Sequence, residues 1–192
     1  MKFHGVWIAI GIVCAVTVFL GDWSTEAFRF DRTAISNGDW WRIVTSHFIH
    51  FSYGHLLLNL VALGLAGYVA SPSSNLAPQI FAWLWLIGFT GLGLWFLAPD
   101  LNYFVGLSGV LHGAMLVAIA SSPYYSLRVR WAVGVVIISK VLWEQTGLYD
   151  DMANIEIIGG RTEPRSHLYG TLAGLIWVVV WFMIPYGRNR NA

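Results

Sequence analysis

Charge is what this chain has least of. Of 192 residues only 11% are Asp, Glu, Lys or Arg, against about 25% in an ordinary soluble domain. The net charge is +1, which lacks the basic footprint of a nucleic-acid-binding protein, so no nucleic-acid partner is expected. There is one cysteine, Cys14. It allows no internal disulfide, matches no zinc pattern and reads as a small core hydrophobe. No low-complexity tract or internal repeat is detected, so an inverted-repeat transporter finds no support. The middles of the apolar segments lack proline. Pro72, Pro78, Pro99, Pro123, Pro164 and Pro185 all fall at or between segment ends, where a missing N–H costs least. The hydrophobic runs are continuous rather than alternating, which argues against a membrane β-barrel.

What is present is apolar and aromatic. Hydrophobic residues make up 57% of the chain and aromatics 16%, with eleven Trp and a mean hydropathy of +0.62. A soluble fold of this length cannot hide that much apolar surface. The expected class is all-α, a polytopic membrane protein forming one domain over 1–192. Six apolar segments emerge, at about 4–21, 51–70, 79–98, 108–121, 130–148 and 167–185. Each is near the roughly 20 residues needed to cross a 30 Å core, except the short fourth. The opening Lys2 and apolar run superficially fit a secretory signal. No small-x-small cleavage site follows, so the run is read as the first spanning helix.

The longest connection, 22–50, mixes charges with Trp23, Phe28, Phe30, Trp40, Trp41 and Phe48. It is expected to lie in the membrane interface, where aromatic side chains are favoured. Six spans put both termini on one side. Lysines and arginines tie across the bilayer: Lys2, Arg128, Arg130, Arg188 and Arg190 against Arg29, Arg32, Arg42, Arg161 and Arg165. The second group lies among nearly all the acids, so cytoplasmic termini are expected. The second, fourth and sixth segments then all begin at the outer side.

The fourth segment opens on Gly106-Leu107-Ser108-Gly109-Val110-Leu111-His112-Gly113. A helix from Ser108 to about Ser121 is roughly 20 Å long. With its inner end held near the interface by Pro123, Arg128 and Arg130, Ser108 lies about 10 Å below the outer edge of the apolar core. A hydroxyl at that depth implies a cavity that admits water. His167 opens the last segment, followed by Gly170 and Gly174. That small-residue stripe can press on Gly109 and Gly113, which brings Ser108 and His167 side by side. A histidine in a bilayer is costly and functional by default, and an imidazole can take and return the serine proton. No carboxylate is found at a matching position beside His167, so the inference is a Ser–His dyad rather than a triad. Acyl transfer also needs donors for an oxyanion. His55 and Asn59, at i and i+4, share one helix face, and the Ser108 backbone N–H adds a third donor. No metal and no cofactor are expected.

Trp41-Arg42, then His50-Phe51-Ser52-Tyr53-Gly54-His55 with Asn59, then Gly106-Leu107-Ser108-Gly109, then His167-x-x-Gly170-x-x-x-Gly174 occur in that order. Together they resemble the rhomboid family of intramembrane serine proteases, over nearly the whole chain. The resemblance implies a six-transmembrane-helix bundle with an interfacial first loop. It implies Ser108 as nucleophile and His167 as base, with His55, Asn59 and the Ser108 amide as oxyanion hole. Trp41 and Arg42 would belong to the membrane-embedded first loop, and His50 would stand near the cavity as a structural or water-holding residue.

Two departures stand out. His112 occurs where many bacterial rhomboids carry a tyrosine that stacks on the catalytic histidine; it could stack, hydrogen-bond or compete as the base. Lys140 and Glu144 lie inside the fifth segment at i, i+4, where they can pair with each other or serve as substrate or gate elements. With the short chain, these features resemble the rhombosortase branch, which is associated with Gram-negative bacteria. That resemblance implies single-span substrates exported with a C-terminal Gly-Gly motif, a hydrophobic span and a basic tail. Lys140, Glu144 or the acidic loop with Asp150, Asp151, Glu156 and Glu163 would receive the tail. It also implies the bacterial inner membrane, with the active site opening to the periplasm. The alternatives are a housekeeping rhomboid of broad specificity and a non-catalytic rhomboid-like membrane binder. The complete Ser–His set argues against the second.

Overall fold

The computed structural model describes residues 5–70 and 76–183. Lys2, Pro72, Pro185, Arg188 and Arg190, which entered the sequence reading, lie outside the described residues. The elements in order are α1 (Gly5–Phe19), α2 (Gly21–Phe28), β1 (Phe30–Asp31), α3 (Arg32–Ser36), α4 (Arg42–Thr45), a 3-10 turn (Ser46–Phe48), α5 (Tyr53–Val69), α6 (Leu76–Leu97), β2 (Tyr103–Phe104), α7 (Ser108–Ser121), α8 (Leu127–Glu144), α9 (Ile155–Ile158) and α10 (Pro164–Met183). The chain is an α-helical membrane bundle whose long helices α1, α5, α6, α7, α8 and α10 carry the six apolar segments. Among the described residues, α6 alone is long and apolar enough to cross a membrane unaided. Two bent pairs reach that length together, α1 with α2 at 114° and 42–48 with α5 at 90°.

The segment ends differ from expectation where local chemistry intervenes. The first segment breaks after Phe19, and α2 turns away at Gly21, whose φ of 62° suits a residue without a Cβ. α8 starts three residues earlier than expected because Ser126 caps it, its side chain accepting from Val129 N. It ends at Glu144 rather than near 148. α10 starts at Pro164, a residue preorganised for the first helical turn.

α7 is the centre of the bundle. It buries Gly109, Val110, Leu111, Gly113, Ala114, Leu116, Ala118 and Ile119, and α5, α6, α8 and α10 all pack on it. Its closest neighbour is α10, because both present glycines at the crossing. A Cβ added at Gly174 would lie 2.7 Å from Gly113 Cα, and one added at Gly109 would lie 2.6 Å from the Ser166 carbonyl oxygen. α8 is different: only Val141 and Glu144 are buried on it.

The first loop is tied to the segment that leads into α7. Phe30 pairs with Phe104 and Asp31 with Tyr103 in a short antiparallel ladder. Arg32 does more. Its guanidinium donates to the carbonyls of Leu94, Trp95, Ala98 and Leu101 at 2.7–3.1 Å. The Leu94 and Trp95 carbonyls are among the last four of α6, which have no helical partner, and the positive charge suits that end of the helix dipole. Its guanidinium carbon also lies 4.7 Å from the Trp95 ring centroid. We expect Arg32→Met to destabilise the protein by about 2–4 kcal/mol, since hydrogen bonds to a charged group contribute about 1.5–3 kcal/mol each and are partly replaced by water here. A thermal melt in detergent checks this; an unchanged midpoint would show the cap to be dispensable.

Candidate active site

Ser108 is the first residue of α7. The approach to it turns at Gly106, whose φ of +120° is closed to other L-residues. A Cβ there would also lie 2.8 Å from His55 Nε2. Glycine is therefore required twice, for the turn that presents Ser108 and for the approach of His55. The Gly106 N–H donates to Ser46 O at 3.0 Å, so the first loop holds this turn in place.

His167 lies one turn into α10, and its Nε2 is 3.0 Å from Ser108 Oγ. The glycine crossing places them there, since α10 approaches α7 backbone to backbone. Spacing along the last apolar segment predicts no carboxylate beside His167. The structure corrects this: Glu144 Oε2 lies 2.8 Å from His167 Nδ1. The carboxylate comes from the end of α8, a separate helix, so no spacing along α10 could disclose it. The pairing of Lys140 with Glu144 expected from i, i+4 spacing is present, at 2.7 Å. Glu144 is only 4% exposed, and both its oxygens are engaged within the protein.

His112 stacks on His167, with ring centroids 4.3 Å apart and planes at 28°. Its Nδ1 is 2.8 Å from the Ser108 carbonyl, which can only accept, so Nδ1 is the protonated nitrogen. Its Nε2 then accepts from Lys140 Nζ at 2.9 Å. Neither nitrogen faces the Ser108 hydroxyl. His112, Glu144 and His167 bring three metal-ligating atoms within 4.8 Å of one another. Lys140 Nζ bonds two of these residues, His112 and Glu144.

A cavity of about 550 Å³ opens in front of this cluster. It is lined by Ser108 and His167, by His55, Leu58 and Asn59 from α5, and by Lys140, Trp143 and Glu144 from α8. Asn59 Nδ2 and His55 Nδ1 are buried without a hydrogen-bond partner. Asn59 Nδ2 is a donor, and buried donors are rarely left unpaired, so it marks where an acceptor is missing. His50 stands behind His55, ring edge to ring face at 4.9 Å and 75°. Its burial, with the charge of His55 as a smaller contribution, lowers its pKa to about 3. It stays neutral and donates from Nδ1 to Phe48 O at 3.2 Å. His47, which the sequence reading passed over, is fully buried in the first loop, and that burial lowers its pKa to about 4.

Trp41 and Arg42 do not line the cavity. Arg42 bonds Asp39 at 2.9 Å and the Glu26 carbonyl at 2.7 Å, and Trp41 Nε1 reaches Ala27 O at 3.4 Å. They tie the first loop to itself. At the rim, Arg165 bridges Asp100 and Glu163, and its hydrogen bond lowers the pKa of exposed Asp100. Asp151 is occupied by Arg161.

A serine hydroxyl against an imidazole, at the start of a buried helix beside an unpaired buried donor, brings together groups that acyl transfer requires. The family model described as the rhomboid domain matches residues 37–184, which take in the later part of the first loop, the cavity and every residue of the cluster. No curated protein matches the chain. With most of its length covered by that model, the chain belongs to the rhomboid family, a family of intramembrane serine proteases.

Proposed function

We propose that this chain is itself an intramembrane serine endopeptidase, with Ser108 as nucleophile and His167 as general base. The observation that carries the reading is the 3.0 Å contact between Ser108 Oγ and His167 Nε2 at the base of a cavity. Ser108 Oγ attacks the substrate carbonyl carbon, and its proton passes to His167 Nε2. The carbonyl oxygen becomes an oxyanion, held by the Ser108 N–H, Asn59 and His55. His167 returns the proton to the leaving amine as the C–N bond breaks, and an acyl-Ser108 ester remains. Water entering the cavity attacks that ester and gives a proton to His167, which passes it to Ser108 Oγ as the C–Oγ bond breaks and the acid leaves. His112 takes no part as a base, because both its nitrogens are committed elsewhere.

The six long helices cross the bilayer with the termini in the cytoplasm, in the inner membrane of a bacterium, and the cavity opens to the periplasmic side. Substrate enters between α5 and α8, which face one another across the cavity. The substrates are exported single-span proteins anchored by Gly-Gly, a hydrophobic span and a basic tail. Two consecutive glycines lower helix stability by about 1 kcal/mol each, which eases unwinding at the cut. The test is mass spectrometry of the purified enzyme in liposomes with two substrates, one carrying the Gly-Gly anchor and one a generic span without it. At least a tenfold preference for cutting at the N-terminal side of the anchor is expected. Equal cleavage of both would replace this reading with a housekeeping protease of broad specificity, and cleavage of neither would favour a membrane binder.

A further inference from the structure

The mechanism above uses Ser108 and His167 and leaves Glu144, the buried carboxylate of the cluster, without a task. We propose that Glu144 is a positioning residue for His167, held in its working geometry by Lys140. The proposal rests on the reading of this chain as a serine protease.

The hydrogen bonds fix the tautomer of His167. A carboxylate only accepts, so the 2.8 Å contact with Glu144 Oε2 requires the proton of His167 on Nδ1. Nε2 is then bare, and it is the nitrogen 3.0 Å from the Ser108 hydroxyl. The other tautomer would aim a lone pair at the carboxylate and an N–H at Ser108, and could not accept the serine proton. When the Oγ–C bond forms and the proton moves to Nε2, Nδ1 keeps its own proton. Glu144 keeps its charge and faces the imidazolium that results.

A lone buried carboxylate is costly. Lys140 answers that cost at 2.7 Å from Glu144 Oε1. The Lys140 side chain is 46% exposed and lines the cavity, whereas that of Glu144 is 2% exposed. Lys140 also donates to His112 Nε2, and His112 donates from Nδ1 to Ser108 O. Ser108, His167, Glu144, Lys140 and His112 thus form a closed circuit that joins α7, α8 and α10. In that circuit Lys140 donates to two acceptors, the other donors to one each, and the formal charges of lysine and glutamate cancel.

The circuit predicts what an isosteric change does. In Glu144→Gln the amide must turn its oxygen to the Lys140 ammonium, since two donors cannot face each other. Its NH2 then faces His167 Nδ1 and drives the proton to Nε2. The experiment measures the rate of Ser108 labelling by a fluorophosphonate probe and the 15N spectrum of histidine-labelled full-length protein in micelles. Glu144→Gln is expected to slow labelling by about 10³-fold or more, with His167 shifted from the Nδ1–H to the Nε2–H form. Glu144→Asp is expected to keep more activity than Glu144→Gln. In the double variant Glu144→Gln, Lys140→Met the amide oxygen is free to face His167, and at least a tenfold recovery over Glu144→Gln alone is expected. Labelling of Glu144→Gln within threefold of wild type overturns the proposal. So does slow labelling with His167 still protonated on Nδ1, which would be a structural loss. If Glu144→Gln does not fold, the wild-type spectrum decides: a protonated Nδ1 on His167 sustains the proposal and a bare one overturns it. Ser108→Ala runs alongside. Unchanged labelling of that variant would sink the protease reading itself, whereas its silence beside a fully active Glu144→Gln would sink only the role given to Glu144.

Discussion

Ser108→Ala will abolish proteolysis and fluorophosphonate labelling while leaving the folded protein intact. The expected loss is about 10⁶-fold in kcat, the scale on which serine proteases fall when the nucleophile is removed. The fold survives because little structure depends on the hydroxyl. Ser108 Oγ has its contact with His167 Nε2, and a single neutral hydrogen bond contributes only about 0.5–1.5 kcal/mol. What holds α7 at this place is the backbone: the turn at Gly106, its bond to Ser46 and the glycine crossing with α10. The melting midpoint of the variant in detergent should therefore stay within a few degrees of wild type. Residual cleavage by pure Ser108→Ala at more than a thousandth of the wild-type rate would reject Ser108 as nucleophile. His167→Ala should likewise lose labelling, since the hydroxyl would have no base within reach.

The second large effect concerns a residue that takes no part in chemistry. Gly170→Val will prevent the bundle from forming its native core. A Cβ at Gly170 would be driven into the carbonyl of Gly109. The obstacle is helix backbone, which cannot rotate aside as a flexible side chain can. The two helices must separate or shift along one another, at a cost above about 3 kcal/mol. Either response breaks the 3.0 Å contact between Ser108 and His167, so labelling and folding should fail together. The matched control is Gly64→Ala on α5. Nothing lies within 4 Å of a Cβ added there, and alanine is favoured over glycine in a helix by about 1 kcal/mol. Gly64→Ala should fold as well as wild type or better. A stable, active Gly170→Val would show that the close crossing is not what brings the pair together.

These two cases separate what each level of description contributes. The all-α membrane class follows from composition, because 11% charge and long apolar runs leave no soluble alternative. The extent of α7 is marked in the chain by Gly106 and Pro123 on either side, and the structure runs it over Ser108–Ser121. The stripe of Gly170 and Gly174 against Gly109 and Gly113 is a matter of helical period, so it can be read before any coordinates exist. The pairing of Lys140 with Glu144 is local for the same reason. The cap that Arg32 places on α6 is not local, since some seventy residues separate it from the Leu101 carbonyl. Among so many aromatics and charges in 22–50, nothing singled it out.

His112 shows the limit most clearly. Its position one turn after Ser108 allowed stacking, hydrogen bonding or competition as the base. The tertiary structure places a lone-pair carbonyl on one nitrogen and an ammonium on the other, and so leaves only the first two. Glu144 is the same lesson with a larger consequence. Helical periodicity tells which residues share a face of α8, but not how α8 is rotated against α10. That rotation is set by packing between helices distant in sequence, and it decides whether a carboxylate faces lipid, substrate or His167. The sequence by itself determined the class, the short central helix and the meeting of Ser108 with His167, because those depend on composition and on one helix period. Only the tertiary structure decided that a buried glutamate lies against that histidine, because two separate helices, α8 and α10, supply those side chains.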